Sequence, residues 1–189
     1  MRNIAIFASG SGTNAENLIR FFRTSRYGRV SLLLSNRKEA GVVARAQTLD
    51  VEVNAFTREQ FYQSNEVLSL LLERDIDFVV LAGFLWLVPD HLLEAFENKM
   101  INIHPALLPK YGGKGMYGRY VHEAVIRNQE AESGITIHYV NRDYDEGDII
   151  FQARCEVKAD DTPETLASRI HQLEYQHFPV VLENLLKEL

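Results

Sequence analysis

The apolar positions of the chain follow two rhythms. Short, nearly unbroken apolar runs recur at residues 3–8, 30–35, 51–56, 78–81 and 100–103. Their length and composition predict strands covered on both faces. Between them the pattern turns helical. Thr13-Asn14-Ala15-Glu16 carries a capping-box pattern, which predicts a helix to about Phe22. Residues 40–49 predict a second helix. Thr57-Arg58-Glu59-Gln60 is another capping-box pattern, opening a longer helix to about Arg74. Strands and helices that alternate over short links predict parallel strands joined by right-handed crossovers. Ligands bind such sheets beyond the carboxyl ends of the strands. That rule singles out residues 9–13, 83–88 and the segment from His104 onward.

The second half reads differently. Residues 111–118 hold four glycines and predict a mobile loop, followed by a short helix over 120–127. Residues 135–140 and 149–157 predict two strands, separated by an acidic turn, that extend the same sheet. Asp161-Thr162-Pro163-Glu164 predicts a helix start with proline in its first turn. The last helix carries apolar residues at Leu166, Ile170, Leu173, Val181 and Leu185, and Pro179 is expected to kink it. The fold class expected is α/β: a doubly wound, mostly parallel, Rossmann-like sheet with an antiparallel extension in the C-terminal half.

Composition narrows the possibilities. A length of 189 residues with 46% hydrophobic content suits one domain with a real core, expected to span residues 1–189. The longest apolar stretches are strand-length, so no membrane segment is expected, and the N-terminus lacks the pattern of a signal peptide. The single cysteine, Cys155, allows neither an internal disulfide nor a cysteine metal cage, which suggests a cytoplasmic setting. The formal charge of −6 argues against general nucleic-acid binding.

Three segments carry candidate chemistry. Ser9-Gly10-Ser11-Gly12-Thr13-Asn14 joins a strand to a helix N-terminus through a glycine-rich turn, an arrangement that suits phosphate. It is neither a Walker loop nor a complete dinucleotide fingerprint. Asn102-Ile103-His104-Pro105 places two polar side chains two residues apart at a strand end, aimed the same way. Asparagine supplies a donor for a developing oxyanion, and histidine exchanges a proton near neutral pH. Taken alone, a buried Asn and His capping the sheet end is the simpler account. The acidic segment Arg142-Asp143-Tyr144-Asp145-Glu146-Gly147-Asp148 offers a carboxylate to orient His104, although a solvated turn explains it as well. His91, His122, His138, His171 and His177 show no paired metal-ligand spacing, so zinc is not expected. His138 reads as a packed core residue or one supporting the site. No Gly-x-Ser-x-Gly elbow is present.

Together Ser9 to Asn14, Leu81-Ala82-Gly83-Phe84, Asn102 to Tyr111 and Asp145-Glu146-Gly147 stand in an order and spacing that resembles the phosphoribosylglycinamide formyltransferase family. The resemblance runs from the first strand to the last helix. It implies transfer of a formyl group from the co-substrate 10-formyltetrahydrofolate to the amine of glycinamide ribonucleotide, in purine biosynthesis, without a metal. It also implies a phosphate-binding half over residues 1–100 and a catalytic, folate-binding half over 101–189. By the same resemblance Asn102, His104 and Asp145 are catalytic, and Gly12, Thr13 and Asn14 hold the substrate phosphate. His171 and Glu174 contact the nucleotide. Arg58, Leu85, Trp86, Leu87 and Val88, with Asn141, Arg142, Asp143, Tyr144 and Asp145, line the folate site. A protonated His104, kept charged by Asp145, is expected to stabilise the oxyanion. Partners are expected to be these small molecules, with no nucleic acid or membrane, in a monomer or homodimer. Trp86 stands where many members carry Arg, His171 where some carry Gln, and the 112–118 loop is longer than in short members. Other folate-dependent formyltransferases, acting on sugar nucleotides, and formyltetrahydrofolate hydrolases are the nearest alternatives. A non-catalytic nucleotide-binding module is the more distant one. Initiator-tRNA formylating enzymes, with an added C-terminal domain, fit this chain less well.

Overall fold

A computed structural model describes residues 1–189. Seven strands form one sheet: β1 (Arg2–Phe7), β2 (Gly28–Ser35), β3 (Glu52–Ala55), β4 (Phe78–Leu81), β5 (Met100–His104), β6 (Glu132–Tyr139) and β7 (Ile149–Glu156). Seven helices accompany them: α1 (Thr13–Phe22), α2 (Gly41–Thr48), α3 (Arg58–Tyr62), α4 (Glu66–Glu73), α5 (Asp90–Ala95), α6 (Arg119–Arg127) and α7 (Pro163–Glu188). The strand order is β3-β2-β1-β4-β5-β6-β7. Neighbours from β3 to β5 pair in parallel, whereas β6 and β7 run antiparallel. The order reverses between β1 and β4, which opens the crevice where ligands bind in sheets of this kind.

Strand alternation divides the core between the two faces of the sheet. Ile4, Ile6 and Ala8 pack on one face with apolar residues of α1, α2, α6 and α7. Ala5 and Phe7 pack on the other with residues of α3, α4 and α5. Phe7 is fully buried there against Phe56, Phe61 and Phe84, at ring-centroid distances of 5.8, 6.2 and 5.4 Å. Removing each such ring from water contributes about 1.5–3 kcal/mol.

Three features depart from the expected pattern. The helix expected from 57 to 74 is broken into α3 and α4. Ser64 Oγ lies 3.2 Å from the Gln60 carbonyl and accepts from Glu66 N–H at 3.3 Å. These local bonds compete with the helical ladder. Helix α5 was not anticipated; its six residues are too few to show a periodic pattern. The capping box at Thr57 forms, with Gln60 bonded reciprocally. The one at Thr13 does not: Gly12 is the N-cap, with left-handed geometry and no side-chain cap.

Helix α7 continues through Pro179. Proline leaves the Tyr175 carbonyl without its helical donor, and Asn17 Nδ2 of α1 supplies one at 3.0 Å. Its start follows the expected pattern, with Thr162 and Thr165 forming a reciprocal cap and Pro163 in the first turn. No helix is long and apolar enough to cross a membrane.

Candidate active site

A cavity of about 510 Å³ opens at the carboxyl ends of β1, β4 and β5. Its lining joins the Gly10–Asn14 turn, the Asn102–Pro105 segment, Asp145, and His171 and Glu174 of α7. Residues scattered over 165 positions of sequence thus meet in one volume.

The first end of the cavity is the start of α1. Its leading amide groups have no side-chain cap, because Glu16 pairs instead with Arg20 and with Arg45 of α2. Uncapped N–H groups at the positive end of a helix attract an anion. The turn is held from behind: Val42 N–H donates to the Gly10 carbonyl at 3.1 Å and Arg45 Nε to the Ser11 carbonyl at 2.9 Å. Glycine at position 12 is required twice over. Its φ is +79°, and a Cβ there would lie 2.3 Å from Val42 Cγ2. Beside the turn, Asn14 Nδ2 donates to Glu174 Oε2 at 2.8 Å. Burial pushes the Glu174 carboxyl up to about 7, and the Asn14 bond offsets this only in part.

The other end is built on β5. Asn102 faces His138 across the antiparallel pair with β6. Asn102 Nδ2 lies 3.0 Å from His138 Nε2 and 3.3 Å from Asp145 Oδ1. His138 Nδ1 lies 2.8 Å from the Tyr139 carbonyl. A carbonyl only accepts, so Nδ1 carries the proton and Nε2 accepts from Asn102. His104, 4% exposed, directs Nε2 at the Tyr111 carbonyl (2.7 Å) and Nδ1 at Asp145 Oδ2 (3.5 Å). The same reasoning places a proton on Nε2, and Nδ1, facing the carboxylate, is the position at which a second proton is exchanged.

The supports of this pair are strained and anchored. Tyr111 and Asp145 both have positive φ, 57° and 59°. Such geometry in residues other than glycine carries a cost, met where surrounding contacts hold it in place. The Tyr111 hydroxyl is tied to Glu130 at 2.9 Å and to Asn128 at 2.9 Å, fixing its carbonyl for His104. Asp145 Oδ2 accepts from Gly113 N–H at 2.9 Å. The exit from β5 is fixed by Thr136, which accepts from Leu108 N–H at 3.0 Å and donates to the Ala106 carbonyl at 2.7 Å.

Opposing effects act on the protonation of this pair. Burial lowers the His104 pKa below its ordinary value, and Asp145 and the Tyr111 carbonyl only partly restore it. Asp145 stays below the usual carboxylate range: burial opposes its charge, but the protonated forms of His138 and His104, together with the Gly113 amide, outweigh it. Desolvation decides the sign for the histidine, and hydrogen-bonding partners decide it for the aspartate.

Among the residues expected to line the folate site, the structure brings Leu85, Tyr144 and Asp145 to the cavity. Trp86 packs in an aromatic cluster with Phe56, Phe61, Tyr62 and Phe84. The Arg58 guanidinium covers the Trp86 and Tyr62 rings at 5.6 and 5.0 Å. The Leu87 carbonyl accepts from the Tyr62 hydroxyl at 2.8 Å. Val88 is buried in the core, so only its backbone can meet a ligand. Asn141, Arg142 and Asp143 are exposed and lie outside the cavity. Arg142 pairs with Asp90 and Glu94 of α5, and Asn141 Oδ1 accepts from Asp143 N–H. Two histidines given little weight in the sequence belong to the site: His138, through Asn102 and Asp145, and His122, which is buried in the cavity lining. The opposition of residues 102 and 138 was not readable without the β5–β6 register. The apolar face of α6 was the one local signal for His122.

The class this fold and site define is that of the formyl transferases, whose family model matches residues 2–182. A chloroplastic phosphoribosylglycinamide formyltransferase of Arabidopsis thaliana is 38% identical over 99% of this chain, which spans 66% of that relative's length. The phosphoribosylglycinamide formyltransferase of Bacillus subtilis is 33% identical over 98% of this chain and 95% of its own. The crystal structure of phosphoribosylglycinamide formyltransferase from Bacillus halodurans superposes with a TM-score of 0.88, at 39% identity, covering 98% of this chain and 95% of that one. The chain belongs to the phosphoribosylglycinamide formyltransferase family.

Proposed function

We propose that the protein transfers the formyl group of 10-formyltetrahydrofolate to the amine of glycinamide ribonucleotide. The observation that carries this reading is the single cavity with an uncapped helix N-terminus at one end and the Asn102, His104 and Asp145 group at the other. A phosphorylated amine is the ligand whose two ends suit both. Binding energy from the unreactive phosphate then holds the amine against the formyl carbon.

The amine attacks the formyl carbon, a C–N bond forms, and the carbonyl oxygen becomes an oxyanion. Asn102 Nδ2 donates to that oxygen, giving up its longer bond, the 3.3 Å contact with Asp145. The proton released by the amine passes to the Asp145 and His104 pair, with Nδ1 of the neutral imidazole as acceptor. The resulting imidazolium stands beside the carboxylate and stabilises the oxyanion. The intermediate collapses by breaking the bond to the folate nitrogen, which takes the proton back. The cation thus forms during the reaction. The formyl donor enters along Leu85, Tyr144 and the Arg58 and Trp86 surface, and Gly12, Thr13 and Asn14 hold the phosphate, with His171 and Glu174 on the nucleotide.

The test is purified protein with 10-formyltetrahydrofolate and either glycinamide ribonucleotide or water as acceptor, followed by folate absorbance. Turnover that requires the ribonucleotide supports the reading; turnover with water alone identifies a hydrolase instead. Asn102→Ala and His104→Ala are each expected to lower kcat by on the order of a hundredfold while leaving a folded protein. Near wild-type turnover in either variant would overturn the assignment.

A further inference from the structure

The buried polar side chains of the cavity are nearly all spoken for. His104 and His138 each engage both ring nitrogens, and Glu174 accepts from Asn14. His122 is different. It projects from α6 into the cavity lining, is 2% exposed, and its Nδ1 has no hydrogen-bond partner. A second atom of the same lining, Asn14 Oδ1, is likewise buried without a partner. Buried polar atoms are almost always satisfied, so orphans that line a ligand cavity mark where the ligand supplies the missing partner.

We infer that His122 is a substrate-positioning residue that hydrogen-bonds the segment of the phosphorylated substrate between its phosphate and its reacting amine. The inference rests on the cavity being the site of a phosphorylated amine, as proposed above. Burial pushes the imidazole down to about 4, with the charges of the neighbouring His171 and His104 adding to the effect. At neutral pH the ring therefore carries no charge and offers one N–H donor and one lone pair. Such a ring gives little to a phosphate dianion and matches a group that both donates and accepts, a sugar hydroxyl or an amide. Asn14 Oδ1, which can only accept, asks for the same kind of ligand donor. His122 lies near both His171, of the nucleotide end, and His104, of the reacting end, which places it along the middle of the bound molecule.

The test compares wild type with His122→Leu, His122→Asn and His122→Gln. Asparagine reproduces the position of Nδ1, and glutamine that of Nε2. With the formyl donor saturating, His122→Leu is expected to raise KM for glycinamide ribonucleotide about tenfold, the loss of one buried hydrogen bond. The KM for the formyl donor should not move. One of the two amide variants should recover most of the loss, which names the nitrogen used. Because no partner in the protein is orphaned, His122→Leu should melt no lower than wild type without ligand. A lowered melting temperature with unchanged KM would show a purely structural role and overturn the inference. A wild type that formylates the ribonucleotide while His122→Leu keeps its KM overturns the inference alone. A wild type that neither binds nor formylates it overturns the reading of the site, and the inference with it.

Discussion

Replacing Glu174 by glutamine removes a charge from a place that resists it. The side chain is 5% exposed and its one hydrogen bond comes from Asn14 at 2.8 Å. Burial raises the carboxyl from 4.5 to about 7. Below pH 4.5 the group is neutral in both folded and unfolded chains and costs nothing. As pH rises the unfolded chain ionises first, so folding is progressively penalised until the folded carboxyl also ionises near 7. The gap between 4.5 and about 7, at 1.36 kcal/mol per pH unit, amounts to roughly 3 kcal/mol. Glutamine keeps the shape and the acceptor oxygen for Asn14 but has no proton to lose. Urea unfolding, followed by the fluorescence of the single tryptophan, Trp86, measures both proteins between pH 4.5 and 8. The variant should gain on wild type by roughly 3 kcal/mol across that range. A difference that stays constant with pH would refute the reasoning, because only the titration of this carboxyl makes it vary.

Two further outcomes follow from the site. Asp145→Asn removes the charge that partly restores the His104 pKa, so His104 should titrate at lower pH than in wild type. The acid limb of the pH–rate profile should then move to lower pH, with kcat reduced; an unmoved limb would count against the coupling of the two side chains. Gly12→Ala forces a Cβ to within 2.3 Å of Val42 Cγ2 at a φ of +79°. It should destabilise by about 1–3 kcal/mol, visible in thermal melting, and raise KM for the phosphorylated substrate as the α1 amides shift.

Much of this protein is legible in short windows of its sequence. The runs at 3–8, 30–35, 78–81 and 100–103 became β1, β2, β4 and β5 because a strand buried on both faces needs nothing more local than continuous apolar character. The glycine-rich turn and the Asn102 to Pro105 segment were aimed at the ligand side by strand alternation alone. Where two equivalent signals diverged, distant residues decided. Thr57 and Gln60 form their capping box, whereas Glu16 is drawn off by Arg45 of α2 and leaves α1 open to an anion. The break between α3 and α4 turned on one serine hydroxyl competing with the backbone.

The Asn102 and His104 pair shows the same division. The sequence by itself determined that an amide and an imidazole would stand together at the end of β5, since period-two geometry is a property of the strand. Only the tertiary structure decided that burial lowers the His104 pKa, that His138 takes one of the Asn102 hydrogens, and that His122 Nδ1 lies buried without a protein partner. Side-chain direction is set by neighbours along the chain. Charge state and hydrogen-bond satisfaction are set by everything within a few ångströms, which the chain brings together only by folding.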